Sequence, residues 1–385
     1  MNRTAVATLA LVLAACSSQP TTAQPGGSPA STTDGKPFSE APVAQFDAPW
    51  AMTFLPGGDM LVTQKGGTLM RYDPRSEQRG IVLGTPTVDS AGQGGLMDVV
   101  LHPDFATNAM VYLSWSEAGT DGKGVALGRG RLVEADGASR LEGFETIFRA
   151  SPFVTGNGHY AGRIAFSPDG KFLFFTTGDR QKFLPAQDKG GTLGKVLRLT
   201  PEGKPAPENP LATQGFLPEV WSYGHRNPLG IAFDAQGNLW QQEMGPKGGD
   251  ELNLVLPGRN YGYPLVSDGD HYDGEPVPDR NIPDHGTRPD LERFKVNWTP
   301  SISPAGLMIY SGKRWPQWRG DAFIGGLSSQ ALIRVDIDGT NAVKGDQWPM
   351  GARIREVEEG PDGTIWLLED SRGGSQGRLL KLEPR

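Results

Sequence analysis

GRIAFSPDGKFLFFTTGD, residues 162–179, reads as two short apolar strands joined by a Ser-Pro-Asp-Gly reversal. The runs are too short for helices and rich in Phe, Ile and Thr, and the Pro-Asp-Gly step supplies what a tight turn needs. The same phrase recurs as APWAMTFLPGGDMLVT (48–63), NPLGIAFDAQGNLWQQE (227–243) and REVEEGPDGTIWLLED (355–370), and in looser form twice more. The copies begin near Trp50, Leu96, Arg163, Leu229, Ala305 and Ile354. Their spacing of roughly 45 to 75 residues leaves room for about four short strands per unit, with insertions in the longer ones. One such unit cannot bury both of its faces, whereas six arranged around an axis bury one another and leave only short edges. The sequence therefore predicts an all-β fold, a six-bladed β-propeller of four-stranded antiparallel sheets, with its binding site at the central channel.

Composition agrees with that architecture. The 53 Gly and 32 Pro among 385 residues interrupt the chain too often for long helices, yet the apolar content is enough for a large core. A net charge of −7 without a basic stripe argues against nucleic acid as a partner. No GxGxxG unit between a strand and a helix is present, which argues against a Rossmann-bound nicotinamide or flavin.

The first 16 residues read as a targeting segment: Arg3, an apolar stretch from Ala5 to Ala15, then Leu13-Ala14-Ala15-Cys16. That ending resembles the lipobox of bacterial lipoproteins, the alternative being a secretory leader in which Cys16 is incidental. Cys16 is the single cysteine, so no disulfide can form within the chain. Residues 17–42, rich in Ser, Thr, Gly and Pro, read as a disordered tether, and the propeller is expected over 43–385. The expectation is a protein of the bacterial cell envelope, facing the periplasm or the exterior, monomeric, touching a membrane only through lipid on Cys16.

Four Gly-rich stretches stand out against the blade pattern: GQGGL (92–96), GNGHYAGR (156–163), SYGHRNP (222–228) and EMGPKGGDE (243–251). Each adjoins a strand end, and loops at one end of a propeller converge on the axis. His159 is the candidate general base, since an imidazole titrates near neutrality and its glycine neighbours leave it uncrowded. His102 reads as a turn residue with local hydrogen bonds, and His271 and His285 as solvated residues of a polar insertion. Arg226 and Asn227, before a Pro-stiffened strand, present a guanidinium and an amide suited to an anionic or quinone oxygen, or else to a salt bridge between blades. Glu243, the carbonyls of Gly245 and Pro246, and the nearby Asp250 and Glu251 offer oxygen ligands that suit Ca²⁺, or else are simply solvated acids.

Taken together, GQGGL, GHxxGR with FSPDG and TTGD, SYGHRNPxG, and EMGPxGGDELN with GxNYGYP resemble, in this order, the soluble quinoprotein aldose and glucose dehydrogenases, which use pyrroloquinoline quinone (PQQ). The resemblance spans residues 49–382 and is nearer to the aldose sugar dehydrogenase branch. It implies a six-bladed propeller holding PQQ and Ca²⁺ at the mouth of the axis, an aldose substrate oxidised at C1 to the lactone, and a separate electron acceptor. It implies that His159 is the base, that Asp179 orients it, and that Arg226 stabilises charge on the quinone oxygen. Gln93, His159, Arg226 and Asn227 match quinone-binding positions; Gly245 and Pro246 match metal ligands, with Glu243 a further one.

Two departures stand against the pattern. Gly158 occupies the place where the family's soluble glucose enzymes carry an aspartate. Their late lysine and arginine, which clamp the quinone carboxylates, align near Ser311 and Ser329, leaving Gln330 and Arg334 as the expected substitutes. Two other readings compete: a metal-dependent lactonase or esterase, which would want several carboxylate or Asn side chains around its metal, and a noncatalytic propeller that binds glycans or proteins and gives His159 and Asp179 no shared role.

Overall fold

The computed structural model describes Met1, residues 35–135, 137–269, Tyr272 and residues 282–385. The expected leader with Cys16 and the linker up to residue 34 lie outside the described residues, as do His271 and residues 273–281.

Six four-stranded sheets, antiparallel throughout, make up the described fold. Their innermost strands are Pro49–Phe54, Leu96–Leu101, Ala161–Phe166, Pro228–Phe233, Pro304–Ile309 and Ile354–Glu359, where the six repeats begin. Each packs against the inner strand of the blade before and after it, and the last packs on the first, so the ring is closed. The turn after each clear repeat works as its sequence demands: Gly58, Gly170, Gly237 and Gly363 take φ of 92°, 70°, 87° and 82°, a left-handed region where other residues are strained.

The sixth blade is completed from the other end of the chain. Phe38–Gln45 pairs antiparallel with Arg378–Pro384, giving the sheet order first strand, last strand, Ile365–Glu369, Ile354–Glu359. The propeller thus starts at Phe38, ahead of the boundary expected at residue 43. The reason is burial: Phe38 is fully enclosed and meets Trp348 edge-on at 5.3 Å, an anchor worth about 2–3 kcal/mol.

Every inner strand breaks register with its neighbour near its start, at Pro49/Ala51, Leu96/Val99, Ala161/Ile164, Pro228/Gly230, Pro304/Leu307 and Ile354/Glu356. Such bulges re-aim side chains at a strand end, here the end that borders the site. At these bulges, charges close the axis. Arg163 pairs with Asp98 and Glu356, donates from Nε to the Leu229 carbonyl at 2.8 Å, and lies over Trp50 at 4.2 Å, so one guanidinium ties five blades together. Burial, only partly countered by Arg163, pushes Glu356 up to about 7. Glu358, two residues further along the same strand, is pushed well above the ordinary carboxylate range by burial and by the Glu356 and Asp98 charges. No helix among the described residues is long and apolar enough to cross a membrane.

Candidate active site

The stretches singled out by their glycines converge on one cavity of about 990 Å³ at the end of the axis where the inner strands begin. Gln93, His159, Arg226, Asn227 and Gly245 all line it.

His159 sits in the loop ahead of Ala161–Phe166 with φ of 48°. Three contacts fix it. Its backbone N–H donates to Gln93 Oε1 at 2.7 Å, its Nδ1 lies 2.6 Å from Asp179 Oδ1, and its carbonyl packs so closely on Gly178 that a Cβ there would stand 2.0 Å away. The glycine of TTGD is thus required for base and carboxylate to meet. Asp179 is fully buried behind the imidazole and also receives the N–H groups of Gln181 at 3.0 Å and Phe183 at 3.2 Å. Burial and then the Arg226 guanidinium hold His159 below the ordinary imidazole range, overriding the Asp179 charge. Burial would raise Asp179, but the His159 contact and then Arg226 hold it below its usual value. The pair is therefore a neutral imidazole on a carboxylate. Because a carboxylate only accepts, Nδ1 carries the proton and the Nε2 lone pair is left to act as a base.

Arg226 donates from Nη1 to the carbonyls of Met244 and Gly245 at 3.2 and 3.1 Å. Its backbone N–H is held by Glu243, whose other oxygen takes His225 Nδ1 at 2.9 Å, and His225 stacks on Tyr261 at 4.7 Å. Glu243 is therefore not placed as a metal ligand in the cavity: both oxygens are engaged beneath the loop, and it faces a separate small cleft together with Glu251. Pro246 does not line the large cavity either. Asp250 ties the Gly245 N–H at 2.9 Å to the amides of Ile302 and Ser303 at 2.7 and 2.8 Å, so it braces this loop. His285, expected to be solvated, is buried with Nε2 3.2 Å from Glu251 Oε1. His102 behaves as read, accepting the Asp104 N–H at 3.0 Å.

The expected clamp residues are elsewhere. Arg334 lies in the third strand of the fifth blade, Ala331–Asp338, bound to Asp321, Asp336 and, at 2.8 Å, Asp346. Leu327 of the preceding turn reaches the cavity, but by Gln330 the chain has turned outward, and neither Gln330 nor Arg334 lines the cavity. Besides Arg180, Lys182 and Arg226, the cations that line it are Lys65 of the first blade and Arg353, Arg355 and Arg372 of the last. A single carboxylate, Asp370, serves the three arginines, at 3.2 Å from Arg353, 3.0 Å from Arg355 and 3.8 Å from Arg372. Burial and then the Arg372 and Arg355 charges lower the Lys65 pKa, and burial lowers that of Arg355. Arg353 and Arg355 escaped the sequence reading although they open the last repeat, Arg353 standing just before its inner strand as Asn227 does in the fourth.

This donor set fits a polycarboxylated quinone. Under-compensated cations form one wall, and on the other the buried Asn227 Oδ1 has no hydrogen-bond partner among the described residues. For a metal the fit is narrower. No group of three or more His, Cys, Asp or Glu able to hold one occurs among the described residues, so the protein would contribute backbone carbonyls and depend on its cofactor and water for the rest of the six to eight oxygens Ca²⁺ takes.

A six-bladed propeller with a His–Asp base at one wall of an axial cavity and clustered cations at the other defines a dehydrogenase-type site for a small polar substrate and an anionic cofactor. The chain belongs to the glucose/sorbosone dehydrogenase family, whose model matches residues 46–381. It is 39% identical over 349 residues to the aldose sugar dehydrogenase YliI of Escherichia coli, covering 89% of this chain and 91% of that one. The apo-form crystal structure of the soluble aldose sugar dehydrogenase from Escherichia coli superposes with a TM-score of 0.83 at 37% identity, over 90% of this chain and all of the other. The PQQ-bound aldose sugar dehydrogenase of Streptomyces coelicolor follows with a TM-score of 0.72 at 30% identity, over 90% and 98% of the two chains. The family that the motifs resemble is thus the family of this chain.

Proposed function

We propose that the protein oxidises aldoses at C1 to the lactone, with His159 as general base and PQQ as the acceptor of hydride. The broader statement rests on family membership: the chain is a quinoprotein sugar dehydrogenase, an oxidoreductase. The observation that carries the finer reading is the His159–Asp179 pair, a buried imidazole with its Nδ1 2.6 Å from a fully buried carboxylate at the wall of the cavity.

The aldose lies with its anomeric hydroxyl at His159 Nε2. As the hydroxyl proton passes to Nε2, the C1–H bond breaks and the carbon becomes a carbonyl. Asp179 stabilises the imidazolium that forms, and Gln93 keeps the loop from moving with it. Arg226 serves twice: its charge keeps His159 unprotonated before reaction and stabilises the negative charge that develops across the cavity. Lys65, Arg353 and Arg355 would hold the cofactor's carboxylates and so fix its ring relative to C1. When bound, the quinone supplies a two-electron acceptor; a Ca²⁺ would make it more electrophilic, and of the two expected carbonyls only that of Gly245 lines the cavity to hold one.

The lactonase reading loses support from the lack of a side-chain metal cluster among the described residues. The binding-module reading gives no reason for the paired His159 and Asp179. We further propose a lipid on Cys16, a periplasmic or extracellular position and a monomeric state. The test of the main reading is direct: add PQQ and Ca²⁺ to apoprotein and follow the quinone absorption on adding aldoses. Failure of every aldose to reduce bound quinone refutes it.

A further inference from the structure

We propose that Gln181 reads a ring hydroxyl of the bound sugar and so sets which aldoses are oxidised. This inference rests on the sugar dehydrogenase reading above.

Gln181 lines the cavity on the His159 side, with its side chain exposed to it. Its backbone N–H is held at 3.0 Å by Asp179 Oδ1, the same oxygen that holds His159 Nδ1 at 2.6 Å. One oxygen thus positions both the imidazole of the base and the backbone of the glutamine through two hydrogen bonds. The carboxamide lies on Gly158: a Cβ at that position would stand 2.4 Å from Gln181 Oε1 and 3.0 Å from Nε2. Gly158 is therefore the residue that makes room for this amide next to the base.

The backbone supports the same reading. Arg180, Gln181 and Phe183 have φ of 57°, 58° and 64°, a conformation that side chains other than Gly adopt at a cost and that persists where surrounding contacts impose it. Those contacts are present. The fully buried Arg180 bonds the carbonyls of Gly156 and Gly158 and covers Tyr160 at 3.6 Å, and the buried Lys195 ammonium gathers the carbonyls of Pro185, Ala186 and Leu193 at 2.8 to 2.9 Å. A strained segment pinned on both sides delivers a carboxamide to the wall where the substrate must lie. The chemistry of that group selects its ligand. A carboxamide both donates and accepts, as a hydroxyl does, whereas the cofactor's carboxylates are matched by the cations across the cavity.

The test measures kcat/KM for glucose and its 2-, 3-, 4- and 6-deoxy analogues with wild type, Gln181→Gly and Gly158→Ala, alongside quinone titration of each apoprotein. Gln181→Gly suits the positive φ and so keeps the fold, while Gly158→Ala leaves the amide present but displaces it. The wild type should discriminate against one deoxy analogue, and both variants should lose that discrimination by about threefold to tenfold, the range of one neutral hydrogen bond. Quinone affinity should stay within twofold for Gln181→Gly. Equal losses for every sugar, undiminished discrimination, or a large fall in quinone affinity overturns the assignment while leaving the dehydrogenase intact. A wild type that binds quinone and oxidises no aldose overturns the sugar reading itself.

Discussion

Asp179→Asn is the substitution that most directly tests the base. It preserves shape but gives one carboxyl oxygen's place to an NH₂ group. Two backbone amides, from Gln181 and Phe183, already point at the two oxygens of Asp179, as does His159 Nδ1. With only one acceptor oxygen left, the amide oxygen is best placed on one set and NH₂ on the other. If NH₂ faces His159, Nδ1 must become the acceptor and the proton moves to Nε2, the atom that should take the sugar's proton. Loss of a general base costs about 10² to 10⁴ in rate, or roughly 2.7 to 5.5 kcal/mol of barrier. Removing the carboxylate also removes the contribution that raises the His159 pKa, so any residual activity should have its acid limb at lower pH than wild type. The assay is stopped-flow reduction of bound PQQ by glucose from pH 4.5 to 8.5, with quinone affinity measured separately. In wild type, kcat/KM should fall only as pH drops below the ordinary imidazole range, because burial and Arg226 keep His159 neutral above it. A variant that binds quinone and retains more than about a third of wild-type kcat/KM at pH 7 refutes the orienting role.

Arg226→Ala should weaken quinone binding and slow reduction together, whereas His159→Ala should slow reduction by roughly 10² to 10⁴ with quinone affinity retained; titration of both apoproteins separates them. Exhaustive chelation should abolish activity and Ca²⁺ restore it better than Mg²⁺, since carbonyl oxygens in a Gly-rich loop suit an irregular shell; full activity at zero metal content counts against the ion. Glu358→Gln should leave the melting temperature close to wild type at pH 5 and raise it by ~2–4 °C for each kcal/mol of relief as pH rises. Its sign follows from linkage: a carboxyl whose folded pKa is raised contributes stability that is present below the unfolded value and lost as pH climbs through the folded one, and Gln cannot ionise. Cys16→Ala should move the protein from the membrane fraction to the soluble fraction; a wild type already soluble and beginning at another residue rules out the anchor.

The positions of the six inner strands were readable because each repeat carries its own turn and its own apolar run, which is local information. Phe38–Gln45 was not readable as a strand, because its partner Arg378–Pro384 lies at the far end of the chain and no local pattern announces the pairing. The same division holds at the site. His159, Asp179 and Arg226 sit in motifs whose glycines are forced by close approach, as at Gly178, so the sequence marks them. Lys65 and Arg353 sit in ordinary-looking loops and Arg355 in the inner strand Ile354–Glu359, and they gain meaning only when the first and last blades meet. His285 looked solvated within a polar insertion, and its partner Glu251 is brought to it only by the folded chain.

Closure of the sixth blade by Phe38–Gln45 also orders events in time. Phe38–Gln45 can find its neighbour only once Arg378–Pro384 is available, so the ring stays open until that strand is in place. Until then Phe38 has no Trp348 to cover it, and the last blade exposes an unpaired edge. In that interval the unpaired edge and the uncovered aromatic ring are the features most open to association with another chain.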